Sequence, residues 1–405
     1  MATQQAQRPQ ETPFASAAGS VASTAAEPTP PATMMGGSLP TTTGTSIPAR
    51  GIGRPFWASV LLLLAAAVIP TLLFSNYHLF QLTMVIVYAI AIVGLAILIG
   101  FNGQISLGHG AFYAIGAYVT AVLMYQYDVP YWATLPVSAV VCAVVGFLIG
   151  LPALRLAGLY LALTTFALAI AVPQILKIDA LEGLTGGVQG LVIDKPDPPF
   201  GLDMSPDQWL YLFTLFVGAL LFLLAWNIVR GRIGRAMMAI RDHSLAAEAM
   251  GINIALLKTR TFALSAMYTG IAGSLGAIVV QFVAPDSFGI FVSIYFFVGL
   301  IVGGAASIGG AILGGIFIEF VPNLAESVSK AAPGAVYGVI LIAVMFLMPG
   351  GAASFLSALF ARFRRGTKSA ELRPAIMRGS GADNVSAAAG VPRGAEPDAG
   401  GNRGV

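Results

Sequence analysis

Charge is what this chain has least of. Only 10% of its 405 residues are Asp, Glu, Lys or Arg, against 57% hydrophobic residues and a mean hydropathy of +0.83. Soluble globular domains carry about 25% charged residues, so a soluble fold is excluded and an all-α polytopic membrane protein is expected. The formal net charge of +3 is divided among loops and makes no single basic face, which removes nucleic acid from the expected partners. There is one cysteine, Cys142, inside an apolar run, so no intrachain disulfide can form and the redox compartment stays open. No G-x-x-x-x-G-K-[ST] string is present, so this chain cannot itself cradle ATP phosphates. The three histidines, His78, His109 and His243, are scattered, and neither H-E-x-x-H nor a His/Cys cluster occurs, so no metal and no cofactor is expected. A T-V-G-Y-G filter is missing. The apolar runs hold no paired carboxylates and no nucleophile–base set, which argues against a membrane-embedded enzyme.

What is there is a series of apolar windows near the roughly 20 residues that span a bilayer. They fall at about 56–75, 79–99, 107–125, 132–151, 158–177, 209–228, 261–283, 288–304, 308–325 and 335–350, which predicts about ten transmembrane helices within a membrane domain, 55–352. The pair after 288 can also be read as a broken hairpin, because Gly303, Gly304, Gly309 and Gly310 blur its boundary. The first run lies too far from the N-terminus, and is too long, for a cleaved signal peptide. Residues 1–54 are rich in Ala, Thr, Pro and Ser, with few large apolar side chains to offset the entropy of ordering; they read as a disordered tail. Residues 353–405 begin with the basic cluster Arg362, Arg364, Arg365 and Lys368, suited to anionic headgroups, and then read as disordered too.

The charges sort by loop. Arg230, Arg232, Arg235, Arg241, Lys258 and Arg260 outnumber Asp242 and Glu248 in 230–260, and Arg50, Arg54, Arg155 and the C-terminal cluster fall on the same side of an even helix count. The loop 178–208 holds Asp179, Glu182, Asp194, Asp197, Asp203 and Asp207 against Lys195. The positive-inside bias therefore puts both termini and 230–260 in the cytoplasm and 178–208 outside. The outer loop contains GLTGGVQGL, Gly183 to Leu191, whose glycines suit turns in a solvated connector; calcium-loop spacing is absent.

Four features carry possible chemistry. In 230–260, Asp242 or Ser244 can cap a short helix over Leu245 to Met250 that Gly251 can end, and a small-residue helix of this kind fits a partner's groove. Between windows two and three, Gly100, Gly103, Gly108 and Gly110 surround Asn102, Gln104, Ser106 and His109. Two readings stay open: a discontinuous segment lining a solute path, since freed backbone survives in a membrane only where protein or water covers it, or an interfacial turn with Ser106 as N-cap and His109 hydrogen-bonded between helices. Small residues four apart, at Gly299, Gly303 and Ser307 and again at Gly310 and Gly314, suit close helix packing within the chain or a face for a second subunit. Glu319 reads as an interfacial residue near Pro322 and Asn323 first, and as a gating residue second.

The order Glu248-Ala249-Met250-Gly251-Ile252-Asn253 resembles the EAA loop by which ABC-importer permeases dock on their ATPases. With GFNGQISLGHGAFYAIGAY and GLTGG in the same order, roughly residues 56–350 are similar to the LivM-type permeases of branched-chain amino acid transporters. That resemblance implies a bacterial inner-membrane subunit with no catalysis of its own. It also implies an ATPase-docking helix with Ser244, Ala247, Glu248, Ala249 and Gly251 at the contact, two ATPase subunits, a second homologous permease of the LivH type, a periplasmic solute-binding protein, and surrounding lipid. The rival is an ion-coupled secondary transporter, which would more often show mid-helix charges and an internal repeat. Neither is clear in the sequence.

Overall fold

The computed structural model describes residues 53–355 apart from 154–157, 202, 331 and 349. The expected tails, the basic cluster at 362–368 and Arg155 lie outside the described residues. Contacts divide the chain after residue 56, and the helical bundle is the unit that begins at Trp57.

Thirteen α-helices are found among the described residues: α1 Gly53–Leu73, α2 Asn76–Leu95, α3 His109–Tyr127, α4 Tyr131–Ala153, α5 Leu159–Ile175, α6 Asp179–Thr185, α7 Pro206–Arg230, α8 Arg232–Asp242, α9 Ser244–Ala249, α10 Ile254–Val280, α11 Ile290–Gly303, α12 Gly310–Val328 and α13 Pro333–Leu347. A π-helical turn, Ala96–Phe101, extends α2. Each of the ten apolar windows holds a helix. Six helical stretches are long and apolar enough to cross a membrane: Asn76–Phe101, Tyr131–Pro152, Pro206–Arg230, Ile254–Val280, Pro285–Gly303 and Gly310–Val328. A seventh follows if α5 and α6, bent by 79° at their junction, form one broken span. Of the other three windows, α13 and the described apolar part of α1, Leu63–Leu73, are shorter. Helix α3 is long enough, but its glycines, tyrosines, His109 and Gln126 dilute its apolar character.

Helices α2 and α10 form the centre and are buried along most of their length, as expected of helices apolar all round. Small residues let the neighbours close on them: a Cβ on Gly273 would strike the Tyr113 carbonyl of α3, and one on Gly94 would come within 2.8 Å of the Ser265 carbonyl of α10. The Tyr268 hydroxyl donates to the Leu221 carbonyl of α7 at 2.9 Å.

Two opposite ends of the bundle are distinguished by their contacts. At one end the acidic loop gathers. The Gln126 amide donates to the Gly183 carbonyl at 2.6 Å, Ser205 caps α7 and donates to Asn76, Lys177 pairs with Asp286, and Leu191–Val192 pairs antiparallel with Phe282–Val283 as a two-stranded ribbon. Of the GLTGGVQGL glycines, Gly186, Gly187 and Gly190 make turns at positive φ, while Gly183 lies inside α6. The ribbon has no signature in so short a stretch. At the other end lie α8, α9 and the π-helical turn.

Candidate functional site

Helix α9 is short and stands proud. Of Ser244, Leu245, Ala246, Ala247, Glu248 and Ala249 only Ala247 is buried, and Leu245 and Met250 are 71% and 83% exposed. Its cap is His243, whose Nδ1 accepts from the Ala246 N–H at 3.4 Å. Neither Asp242 nor Ser244 caps it: Asp242 is held by Arg241 at 2.9 Å, and Ser244 is the first helical residue. Gly251 ends the helix as expected. Its φ is +82, and the bonds Gly251 N–H to Glu248 O (2.8 Å) and Ile252 N–H to Ala247 O (3.1 Å) form a Schellman closure. A side chain at 251 would strain that backbone. Asn253 then caps α10 through the Leu256 N–H, 2.9 Å. The elbow leaves a concavity of about 500 Å³ lined by Glu248, Gly251, Ile252, Asn253, Ile254, Ala255 and Lys258.

Helix α8, by contrast, is seated. Met237 and Ile240 are buried, and the Arg241 guanidinium donates to the Gly100 carbonyl at 2.7 Å. That carbonyl belongs to the π-helical turn, which closes around Gly103 (φ +73) with Gly103 N–H to Ile99 O and Gln104 N–H to Leu98 O, both 3.1 Å. The Gln104 amide returns the connection by donating to the Lys258 carbonyl at 3.2 Å. The exposed helix is therefore joined at both flanks, through Arg241 and Lys258, to the break between α2 and α3.

Within the break the polar groups divide. The His109 Nε2 lies 2.7 Å from Ser265 Oγ, and that hydroxyl donates to the Gly94 carbonyl at 2.6 Å. The hydrogen on Nε2 must therefore point at Ser265, which leaves Nδ1 to accept from Ser106 Oγ at 3.3 Å, while Ser106 Oγ accepts from the Gly108 N–H. His109 is consumed as a bridge between α2, α3 and α10. Gly108, not Ser106, is the N-cap of α3. Thr165 Oγ1 takes the Leu107 N–H at 3.0 Å, and Ser293 Oγ takes the Gly110 N–H at 2.8 Å. Asn102 is different: it is 2% exposed, and neither side-chain atom has a partner among the described residues.

The break has a counterpart that no motif in the sequence announced. Gly103, Ser106 and Gly108 recur as Gly304, Ser307 and Gly309 at a constant offset of 201 residues (103 to 304, 106 to 307, 108 to 309), and α3 and α12 start and end at the same offset with 19 residues each. Gly304 has φ +107, Ser307 Oγ accepts from the Gly310 N–H at 3.1 Å, and a Cβ on Gly100 would strike the Ala305 carbonyl. The two breaks touch. The spaced glycines expected to pack do so within the chain, Gly303 against Gly310 and Gly299 against Gly314 across the α11–α12 hairpin. Glu319 is not near a helix end, because α12 continues through Pro322 and Asn323 to Val328 and Glu319 is its middle residue. Proline inside a membrane helix is tolerated when neighbours re-satisfy the backbone.

A family model described as the branched-chain amino acid transport system / permease component matches residues 77–349, which include both breaks and the exposed helix. The chain belongs to that family. As a member of this permease family it is a multi-pass membrane protein, and the family is one of transport components rather than enzymes. The high-affinity branched-chain amino acid transport permease LivM of Salmonella typhimurium is 34% identical over 58% of this chain and 60% of its own length, and LivM of Escherichia coli 33% over the same shares. The chain thus matches about three-fifths of the length of these relatives. A probable LivH permease of Methanocaldococcus jannaschii is 27% identical over 61% of this chain and 82% of its own. No solved structure matches the chain.

Proposed function

We propose that this permease is the transmembrane subunit of an ABC importer that moves branched-chain amino acids or related small polar solutes across the bacterial inner membrane. Two ATPase subunits power it, a second permease of the LivH type completes the pathway, and a periplasmic binding protein delivers the solute. Both termini and residues 230–260 lie in the cytoplasm and 178–208 outside. The observation that carries this reading is the construction around α9: an exposed helix with Leu245 and Met250 uncovered outside the apolar bundle, stiffly closed at Gly251, and joined through Arg241 and Lys258 to the break at Gly100–Gln104.

The mechanism follows from that joining. An ATPase holding Ser244, Ala247, Glu248, Ala249 and Gly251 moves α8 and α9 together when it closes on ATP. Arg241 and the Lys258 carbonyl carry the displacement to the Gly100–His109 segment, where α2 and α3 have no continuous helix between them and can shift as two bodies. Asn102 and Gln104 lie where that shift acts and border the solute's route, while Ser106 and His109, bonded to each other and to Ser265, hold α2, α3 and α10 together beside it. A path fed by a binding protein needs weak, neutral contacts so that the solute leaves.

The test is reconstitution of the complex with Glu248→Lys and Gly251→Asp, the first reversing a surface charge and the second straining a backbone at φ +82. Both variants are expected to insert normally and to lose binding-protein-stimulated ATP hydrolysis and leucine uptake. Wild-type stimulation and uptake in both would end this reading, and uptake driven by an ion gradient without ATP would replace it with a secondary transporter.

A further inference from the structure

The end of α7 gathers cations without counter-ions. Arg230 closes α7, and Arg232 and Arg235 stand three apart on α8. All three are exposed. The ion pairs among the described residues are Lys177–Asp286, Lys195–Asp207 and Arg241–Asp242, so none of the three takes part in one, and the chain carries no acid between Asp207 and Asp242. A tight elbow holds them together: Arg235 Nη1 donates to the Arg230 carbonyl at 3.2 Å, and a Cβ on Gly234 would strike the Val229 carbonyl. Like charges this close repel one another, and guanidinium forks match the oxygens of a phosphate.

The exposed face of α7 shows at what depth they lie. Phe216, Leu220, Leu223, Trp226 and Arg230 follow at i, i+4, i+7, i+10 and i+14, one face of the spanning stretch Pro206–Arg230, and the first four are 69%, 56%, 59% and 44% exposed. The Arg230 guanidinium lies 3.7 Å from the centre of the Trp226 ring. Hydrocarbon side chains, then an indole, then a cation is the order in which a lipid-facing helix leaves a bilayer, so the arginines stand at headgroup level. Ile233, exposed between them, suits the same boundary. Beside this face runs an apolar groove of about 400 Å³, between Leu215, Ala219 and Phe222 of α7 and Leu63, Ile86 and Ile312 of α1, α2 and α12. The hydrocarbon of one leaflet is about half of the roughly 30 Å core, or about ten residues of helix rise. Counted back from Arg230, that depth reaches Leu220, level with Ala219 and Phe222 in the groove.

We propose that the α7–α8 elbow and this groove bind one anionic phospholipid, its phosphate on Arg230, Arg232 and Arg235 and one acyl chain in the groove. The bound lipid steadies α8, the helix that carries Arg241 to the Gly100 carbonyl. The site needs no transport to exist; its place in the cytoplasmic leaflet rests on the importer reading above.

The experiment reconstitutes the assembled complex in phosphatidylcholine vesicles that contain a trace of phosphatidylglycerol or of phosphatidylcholine with a photoreactive acyl chain, and maps the labelled peptides. Phosphatidylglycerol is expected to label residues 215–222 in preference to phosphatidylcholine. That preference should fall about fivefold for each of Arg230→Gln, Arg232→Gln and Arg235→Gln, and the triple lysine variant, which keeps the charge, should retain most of it. Ala219→Phe fills the groove with the arginines intact and is expected to remove the label. Equal labelling by the two lipids, a preference indifferent to the three glutamines, or a label untouched by Ala219→Phe would each overturn the proposal. No label on this face from either lipid would mean that the second permease covers it, and loss of the ATPases from the triple glutamine variant would mean that the cations hold an ATPase; both overturn it as well. If the Glu248 and Gly251 variants transport normally while the labelling pattern stands, the importer reading alone has failed.

Discussion

The two breaks, Gly103 to Gly108 and Gly304 to Gly309, use one backbone device for different ends. Each follows a helix that stops at a left-handed glycine, spends a serine hydroxyl on a nearby N–H, and starts a 19-residue helix one residue after a glycine. The first is furnished with Asn102, Gln104 and His109 and is grasped by Arg241 and the Lys258 carbonyl. The second carries only Ala305, Ala306 and Ile308 between its marker residues and folds α12 back on α11 with glycine against glycine. Spacing, then, sets the chain reversal, whereas side chains decide whether the reversal is a joint under control or a fixed elbow.

The most severe test of that contrast lies at the elbow. Gly303→Leu places a side chain into the Gly310 backbone, where neither partner can yield, so the cost is expected to reach or exceed the roughly 1–3 kcal/mol of ordinary overpacking. Little folded protein should survive extraction, as read by the yield of monodisperse protein and its melting temperature. A well-folded Gly303→Leu protein would mean that the elbow is not fixed.

A middle-sized effect is expected at the joint. Arg241→Ala removes a charged hydrogen bond, a class worth about 1.5–3 kcal/mol, from the contact between α8 and Gly100. Leucine uptake should fall about tenfold or more, the equivalent of that bond, while the ATPases remain bound, because α9 itself is untouched. Uptake unchanged in Arg241→Ala would remove the distinction between the two breaks.

The smallest effect on stability, with a sign opposite to the others, is expected at Asn102. A buried amide without partners costs about 1–3 kcal/mol, so Asn102→Leu should leave the melting temperature unchanged or raise it. Uptake by Asn102→Leu combined with Gln104→Leu should nonetheless drop, with assembly intact. Loss of assembly instead would make the polar break a structural turn, equal in kind to its counterpart.

What could be read in the sequence follows the range of each interaction. Apolar runs report their own burial, so every window contained a helix, and Gly251 was recognisable because a left-handed helix end nearly demands glycine. Local preference points past the true cap of α9, because His243 is an uncommon cap flanked by Asp242 and Ser244, which are common ones. Pro322 suggested a helix end near Glu319, but a proline in an apolar span need not end the helix. The Arg241–Gly100 contact joins residues 141 positions apart, and no local spacing announces it. The repeat has no readable signature, because Gly, Ser and Gly recur among residues that otherwise differ.

The π-helical turn at Ala96–Phe101 has a bearing on how the joint is timed in rotation. Each residue of an α-helix advances the chain by about 100°, and a π-helical turn accommodates extra chain without extending the regular ladder. Deleting a single residue between Ala96 and Phe101 would take out that extra chain and restore α-helical winding, in which the Gly100 carbonyl returns to the helical ladder and is lost to the Arg241 guanidinium. The bundle could keep its core and lose its gearing: the part of the molecule most sensitive to a one-residue change in length is a wide turn whose individual side chains are mostly ordinary isoleucine, leucine and alanine.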